Sequence, residues 1–523
     1  MNLDPTKLPE EPDSLKKIIF SQQLEIDHLQ EMVRLFQNEL FGRKSEVLQA
    51  AHSNQLQLFT PPESVEPIRP DEQIEIKGHT RKKRGRKPLP ADLPRVEIVH
   101  DIPEQEKRCA CGAELSRIGE DTSEKLDYIP AKVQVIRNIR PKYACKHCEG
   151  VEDDGPTVKI APVPVQLIPK SNATEGLLAH IAVAKFADAL PLYRQQKIFD
   201  RLGVELSRAT LANWMTQAAV CCQPIIDLLQ QEIRSGPMIN IDESPFQVLK
   251  EPGRSDITKS YMWVFCGGPL HAPTVLYQYH PTRSGSVVRD MLEDYLGFVQ
   301  SDGYSGYDQL SRNPNIIHLG CLTHARRKFV EVNKARKKSR GKKKASQGLA
   351  DEALEFIGAL YHIERHARET EFSYDQIQAL RQEKAKPILD RLKIWLDTHH
   401  PSVPPKSLLG KAIQYALNQW ERLIVYIDAG FLKPDNNVAE NAIRPFVLGR
   451  KNWLFAGAPK GADASATFFS LIETAKTNGL EPYAYLRYLF EKLPLSQGEA
   501  DYLKLLPNRV DKATIDAAAE KWP

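Results

Sequence analysis

The 523-residue sequence predicts a multidomain α/β protein whose mixed-sheet core is split by a helical insertion. Three observations predict it. From Met238 onward, β-rich runs at 238–249, 261–267 and 274–280 precede a helical stretch (286–295), a fourth strand ending at Asp302, a fifth at 316–319 and a helix from Cys321. From Asn333 to Gly430 the pattern is helical instead, Lys-rich at its start and broken by prolines at 401–405. Upstream lie a heptad repeat, two close cysteine pairs and a run of short helices. Three strands, helix, strand, helix, strand is a ribonuclease H-like order. The expected architecture is a ribonuclease H-like core with a helical insertion, preceded by a coiled coil, a zinc-ribbon-like element and a helix-turn-helix-like helical region.

Composition narrows the function classes. A chain of 523 residues exceeds one ordinary core, so two to four domains are expected. With 41% hydrophobic and 26% charged residues and a mean hydropathy of −0.42, it reads as a globular protein with no apolar run long enough to span a bilayer. The first residues lack the basic and apolar blocks of a signal peptide, which gives a cytoplasmic expectation. The net charge of +4 is modest, but the charge is clustered in basic runs at 81–87, 326–328 and 334–344, each able to meet several phosphates. Eight cysteines in such a chain suggest metal or reduced thiols rather than a disulfide framework.

The expected segments, in order, are a coiled coil (1–46), a basic linker (47–95), a zinc-binding β element (96–165), a helical region (166–235), a leading core segment (236–332), the insertion (333–430), a closing core segment (431–478) and a C-terminal helical element (479–523). Ile19, Ile26, Val33 and Leu40 form one seam of the heptad and Leu15, Gln22, Leu29 and Phe36 the other, favouring a two-stranded parallel coil and hence a homodimer. An amphipathic helix packed on its own protein is the alternative. In the linker, Arg84-Gly85-Arg86 flanked by lysines suits a narrow minor groove, although a solvated basic linker gives the same sequence. Cys109 and Cys111 pair with Cys145 and Cys148 across a strand-rich segment (132–143) to supply four thiolates for structural zinc, with His147 as a substitute ligand and buried free thiols as the alternative. Residues 174–186 read as an amphipathic helix, and 191–214 as helix, glycine turn and a helix capped by Ser207. On that last helix Arg208, Thr210 and Asn213 would face DNA, with Leu211 and Trp214 in the core.

Three acids carry the chemistry. Asp242 and Asp302 sit at strand ends that a ribonuclease H-like sheet makes neighbours, and Glu440 lies one turn into a helix beginning near Asn437. Crowded carboxylates repel, so such a cluster makes sense around divalent cations, and magnesium favours oxygen ligands. Two ions about 4 Å apart can activate an oxygen nucleophile and stabilise a departing one at a phosphodiester. Each acid also has a plain reading: Asn437-x-x-Glu440 fits a capping box, Asp302-Gly303 a turn, and Asp242-Glu243-Ser244-Pro245 a strand exit, with Glu243 a substitute for Asp242.

At these residues the sequence resembles the large-subunit transposases of the insertion sequence 66 family, which are DDE transposases. The likeness rests on Leu40 to Glu46, Asp242-Glu243-Ser244, Ser301-Asp302-Gly303-Tyr304 with Cys321 to Phe329, and Asn436 to Phe455. It implies that Asp242, Asp302 and Glu440 bind magnesium or manganese, that element ends are cut and their 3′ hydroxyls joined to target DNA, and that small accessory proteins of the same element are partners of a bacterial, nucleoid-associated enzyme. Asn441 stands where many relatives have arginine. Arg326, Arg327, Arg444, Arg450 and Lys451 remain for gripping the DNA backbone, an ion pair with Glu440 being the alternative for Arg444. His324 either orients a phosphate or sits structurally with Cys321. Two competing functions share the pattern: a DNA-binding regulator that has lost catalysis, and a structure-selective nuclease without strand joining.

Overall fold

The computed structural model describes residues 11–16, 19, 22–23, 26, 133–144, 158–340 and 348–522. The chain divides into two compact units, residues 1–43 with 140–523 and residues 44–139. Of the second, the described residues are 133–139, exposed and without an assigned strand. The strand character expected over 132–143 is therefore confined, among the described residues, to β1 (Lys142–Ala144), which pairs antiparallel with β2 (Val158–Ile160). β-Branched residues confer propensity, but a strand also needs a neighbour for its backbone groups. Cys109, Cys111, Cys145 and Cys148, the Arg84 and Arg86 motif, and most of the expected coiled coil lie outside the described residues.

Four helices open the rest of the first unit: α1 (Glu175–Phe186), α2 (Leu192–Arg201), α3 (Arg208–Cys221) and α4 (Gln223–Arg234). Thr174 and Ser207 cap α1 and α3 through their side-chain oxygens, and Gly203 takes φ +78° in the turn between α2 and α3. Helix α1 is not amphipathic as expected. Of its residues only His180 is exposed, because the helix is enclosed by its neighbours and the C-terminal helices. These helices share one continuous hydrophobic core with the sheet.

The sheet contains β3 (Met238–Val248), β4 (Lys259–Gly267), β5 (Thr274–His280), β6 (Gly297–Gln300) and β7 (Ile316–Leu319) in the order β5-β4-β3-β6-β7. The β3–β4 and β4–β5 ladders are antiparallel, and β3–β6 and β6–β7 are parallel. A short helix, α5 (Ser286–Met291), joins β5 to β6, and a 3₁₀ helix (Ser305–Arg312) joins β6 to β7. Parallel neighbours require such crossovers. Helix α6 (Leu322–Arg340) follows, so the expected boundary at 333 falls inside a continuous helix.

The insertion is helical: α7 (Leu349–Glu369), α8 (Tyr374–Leu380), a π turn (Arg381–Ala385), α9 (Lys386–His399), α10 (Leu408–Asn418) and α11 (Trp420–Ile424). Its apolar faces build a second core that takes in Leu319, Leu322, Ala325 and Phe329 from the sheet side. Arg381 closes it. This guanidinium, 2% exposed, donates to both oxygens of Glu364 (2.8 and 2.7 Å) and to the carbonyls of Tyr426, Ala429 (2.8 Å each) and Leu432 (2.9 Å). It thereby fixes the segment that leads into α12 (Asn437–Trp453). The chain ends with β8 (Phe455–Ala456), α13 (Pro459–Thr477), α14 (Pro482–Lys492), α15 (Glu499–Lys504) and α16 (Lys512–Ala519).

Removing one partner of a buried, fully bonded ion pair strands the other charge. Arg381→Met should therefore cost about 3–5 kcal/mol in urea-unfolding free energy; a cost under about 1 kcal/mol would show that the carbonyls find other donors.

Candidate active site

Alternate residues of β3 share a face, so Asn240, Asp242, Ser244 and Phe246 point the same way. Helix α12 packs over that face. The Phe446 ring meets Phe246 edge-on at 5.2 Å, and Arg450 donates to Ser244 Oγ at 3.1 Å. Beyond the helix, β8 pairs in parallel with the end of β3 through Gln247↔Phe455 and Val248↔Ala456. Both ends of α12 are thus anchored to the strand that carries Asp242.

Neither aspartate stands at a strand end as expected. Asp242 lies in the middle of β3, which continues to Val248 along β4. It is the first residue of its face past the β6 ladder, whose register with β3 stops at Asn240↔Gln300. Asp302 lies two residues beyond β6, because its Oδ1 accepts the Tyr304 N–H at 2.9 Å and turns the chain out of the sheet. A Cβ on Gly303 would sit 2.6 Å from the Tyr415 hydroxyl, so only glycine lets the insertion approach this closely.

Three buried amides tie the acid-bearing segments together. Asn240 Nδ2 donates to Gln300 Oε1 (2.9 Å) and to Asn436 Oδ1 (3.0 Å). Gln300 Nε2 donates to the carbonyls of Gly320 (3.0 Å) and Lys433 (2.9 Å), and Asn436 Nδ2 to that of Ile241 (2.8 Å). Asn436 is the N-cap residue of α12, but its side chain serves this network and caps nothing. The capping-box reading of Glu440 fails accordingly, since the helix begins one residue too early for it. Sequence reading passed over all three amides, although a single amide inside an apolar strand run such as Met238 to Ile241 is a signal.

Burial pushes the Asp242 carboxyl up to about 7; the charge of Glu243, then those of Asp302 and Glu440, add to the rise, against the Glu243 N–H that Asp242 Oδ1 accepts at 2.8 Å. Asp242 therefore sits in the field of both other acids. Glu243, the alternative to it, has protein partners of its own. On the opposite face of β3, Glu243 is bound by Arg283 and by the Tyr307 hydroxyl, and Arg283 stacks 3.5 Å from the Tyr304 ring centroid. Glu440 Oε1 faces Cys321 Sγ (3.9 Å) and His324 Nδ1 (3.6 Å), and its Oε2 faces Arg327 (3.5 Å). Arg444 is exposed, and among the described residues no ion pair joins it to Glu440.

Arg326, Arg327 and Lys451 are exposed, and Arg450 is half-buried. On α3, Arg208 and Asn213 are exposed, while Leu211 and Trp214 are buried. Thr210 is half-buried, with its hydroxyl 2.9 Å from Ser207 Oγ.

The chain matches the family model described as "Transposase IS66 family" over residues 170–464. Further matches are the zinc-finger binding domain of transposase IS66 (106–149), "Transposase C of IS166 homeodomain" (28–98) and the IS66 C-terminal element (470–507). It is 34% identical over 511 residues to the uncharacterized protein y4jD of Sinorhizobium fredii, covering 94% of this chain and 95% of that one. The uncharacterized protein y4qI of the same organism is 33% identical over 512 residues, covering 94% and 90%.

The raised Asp242 carboxyl has a thermodynamic consequence. Without divalent cations, folded Asp242 keeps a proton that the unfolded chain has already released, so its contribution to stability is lost as pH rises from the ordinary aspartate value of 3.8 through about 7. Urea midpoints of wild type and Asp242→Asn should accordingly run closest below that window and separate above it, with wild type losing stability relative to the neutral variant as pH rises. Parallel profiles would show that Asp242 ionises as an ordinary surface acid.

Proposed function

Because this chain belongs to the IS66 transposase family, we propose that it is a DDE transposase, cutting DNA at the ends of an insertion sequence and joining the 3′ hydroxyls to target DNA. What supports this reading is the placement of three acids: Asp242 on β3, Asp302 two residues beyond the parallel neighbour β6, and Glu440 in the first turn of α12, with the charges of Asp302 and Glu440 both raising the Asp242 carboxyl. The strand order, with three antiparallel strands continued by two parallel ones, supports a ribonuclease H-like reading of the core.

The donor set fits magnesium or manganese. All three ligands are carboxylates, hard oxygen donors, and a buried carboxyl lifted to about 7 by its surroundings gains most from a cation. Bound by Asp242, Asp302 and Glu440, the ions would supply activation of the attacking oxygen and stabilisation of the departing 3′ oxygen. The chain's own residues do the rest. Asn240, Gln300 and Asn436 hold the three acid-bearing segments in register. Arg327 steadies Glu440, and Arg326, Arg444, Arg450 and Lys451 supply positive charge for the DNA backbone along α6 and α12. Arg208, Thr210 and Asn213 on α3 read the element end, and Arg84 and Arg86 add a minor-groove contact. Cys109, Cys111, Cys145 and Cys148, inside the zinc-finger match, hold structural zinc. Exposed Ile19 and Ile26 suit a coiled-coil homodimer. Among the described residues, no helix is long and apolar enough to cross a membrane.

The test uses the full-length protein, magnesium and a labelled duplex ending in the element's terminal repeat. Strand transfer is expected, and Asp242→Asn, Asp302→Asn or Glu440→Gln should each lower it about a thousandfold, the loss of several kcal/mol of transition-state stabilisation. Nicking without joining would assign a nuclease instead. Binding without cleavage would assign a regulator.

A further inference from the structure

Cys321, His324 and Glu440 place one sulfur, one imidazole nitrogen and one carboxylate oxygen within 4.8 Å of one another. Cys321 closes the connection from β7 to α6, and His324 lies in the first turn of that helix. Both face Glu440 in the first turn of α12. The site therefore bridges the two helices that flank the insertion.

The spacing approaches that of ligands around one metal ion. Ligands around a tetrahedral zinc, bound at about 2.0–2.3 Å, stand roughly 3.3–3.8 Å apart. The sulfur-to-oxygen and nitrogen-to-oxygen edges are 3.9 and 3.6 Å, close to that spacing, and all three atoms lie within 4.8 Å of one another. His324 Nδ1 is buried and makes no hydrogen bond. Cys321, 1% exposed, accepts the Asn436 N–H at 3.3 Å, the kind of outer support that steadies a ligating sulfur. A thiolate, a carboxylate and a neutral imidazole together balance a doubly charged ion. His324 and Glu440 keep 24% and 21% of their side chains exposed, which leaves room for a solvent ligand at the fourth position.

We propose that Cys321, His324 and Glu440 form a second divalent-cation site, selective for thiophilic ions such as zinc or cadmium over magnesium. Sulfur and imidazole donors set that preference, since magnesium binds neither well. An ion there would clasp α6 to α12 and draw on the same carboxylate as the acid cluster. The site stands whether or not the acids perform strand transfer, and its test reads binding alone.

Full-length protein purified with zinc is titrated with cadmium in excess magnesium, following the ultraviolet thiolate-to-cadmium absorption and the metal bound per chain after dialysis. Wild type should hold one more ion per chain than Cys321→Ser or His324→Ala, and Glu440→Gln should weaken that ion at least tenfold. Exchange at the other cysteines is common to all variants and cancels in the comparison. Cys321 is buried and its substitution risks the fold, whereas His324 is partly exposed, so His324→Ala with an unchanged circular dichroism spectrum carries the comparison by itself. Equal metal content and equal absorption in wild type and His324→Ala would overturn the proposal.

Discussion

Asn240, Gln300 and Asn436 meet in the interior, 60 and 196 residues apart in sequence from Asn240, and the placement of every candidate acid follows from that meeting. A primary amide buried without partners costs about 1–3 kcal/mol for each unsatisfied group, so the three are stable only when they find one another and the nearby carbonyls. Hydrogen bonds are directional where apolar contacts are not. Satisfying this network therefore sets the register of β3 against β6 and seats the first turn of α12. Asp242 and Asp302 each follow one of these amides by two residues and Glu440 by four, so the register that satisfies the core also sets where each acid stands on the chain.

The insertion takes a share in that alignment. Its second core extends onto Leu319 and Leu322 at the end of the sheet, and the Gly320 N–H bonds the Arg422 carbonyl at 2.9 Å. Leu322 N–H bonds the Pro434 carbonyl at 2.8 Å, just before Asn436. Arg381 gathers the carbonyls of 426–432, and Tyr415 packs on Gly303 beside Asp302. A segment that breaks the α/β pattern in sequence thus supports two of the three acids. A change in the insertion can reach Glu440 through these bonds with no direct contact.

Much of this was legible in the sequence, for identifiable reasons. β-Rich runs placed β3, β4 and β5, and Ser207 with Gly203 marked the cap of α3 and the turn before it, since both signals are local. The acids were legible as residues, but their positions within the strands were not: where a ladder stops depends on its neighbour, and β6 ends at Gln300 because Asp302 turns the chain. Helix α1 read as amphipathic because alanines and a few polar residues mimic an exposed face, while the C-terminal helices that cover it lie some 300 residues away in sequence. The opposite fates of Asp242 and Glu243 also needed the fold, because Arg283 and Tyr307 arrive on one face only.

On the proposed reading, one amide-ordered centre brings Asp242, Asp302 and Glu440 to a common cation. Anomalous diffraction from crystals grown with manganese tests it most directly. A manganese peak coordinated jointly by Asp242 and Asp302 is expected, with Glu440 completing the site alone or through a second peak. In crystals free of zinc and cadmium, manganese bound by the aspartates without Glu440, or no peak at the acids, would contradict it.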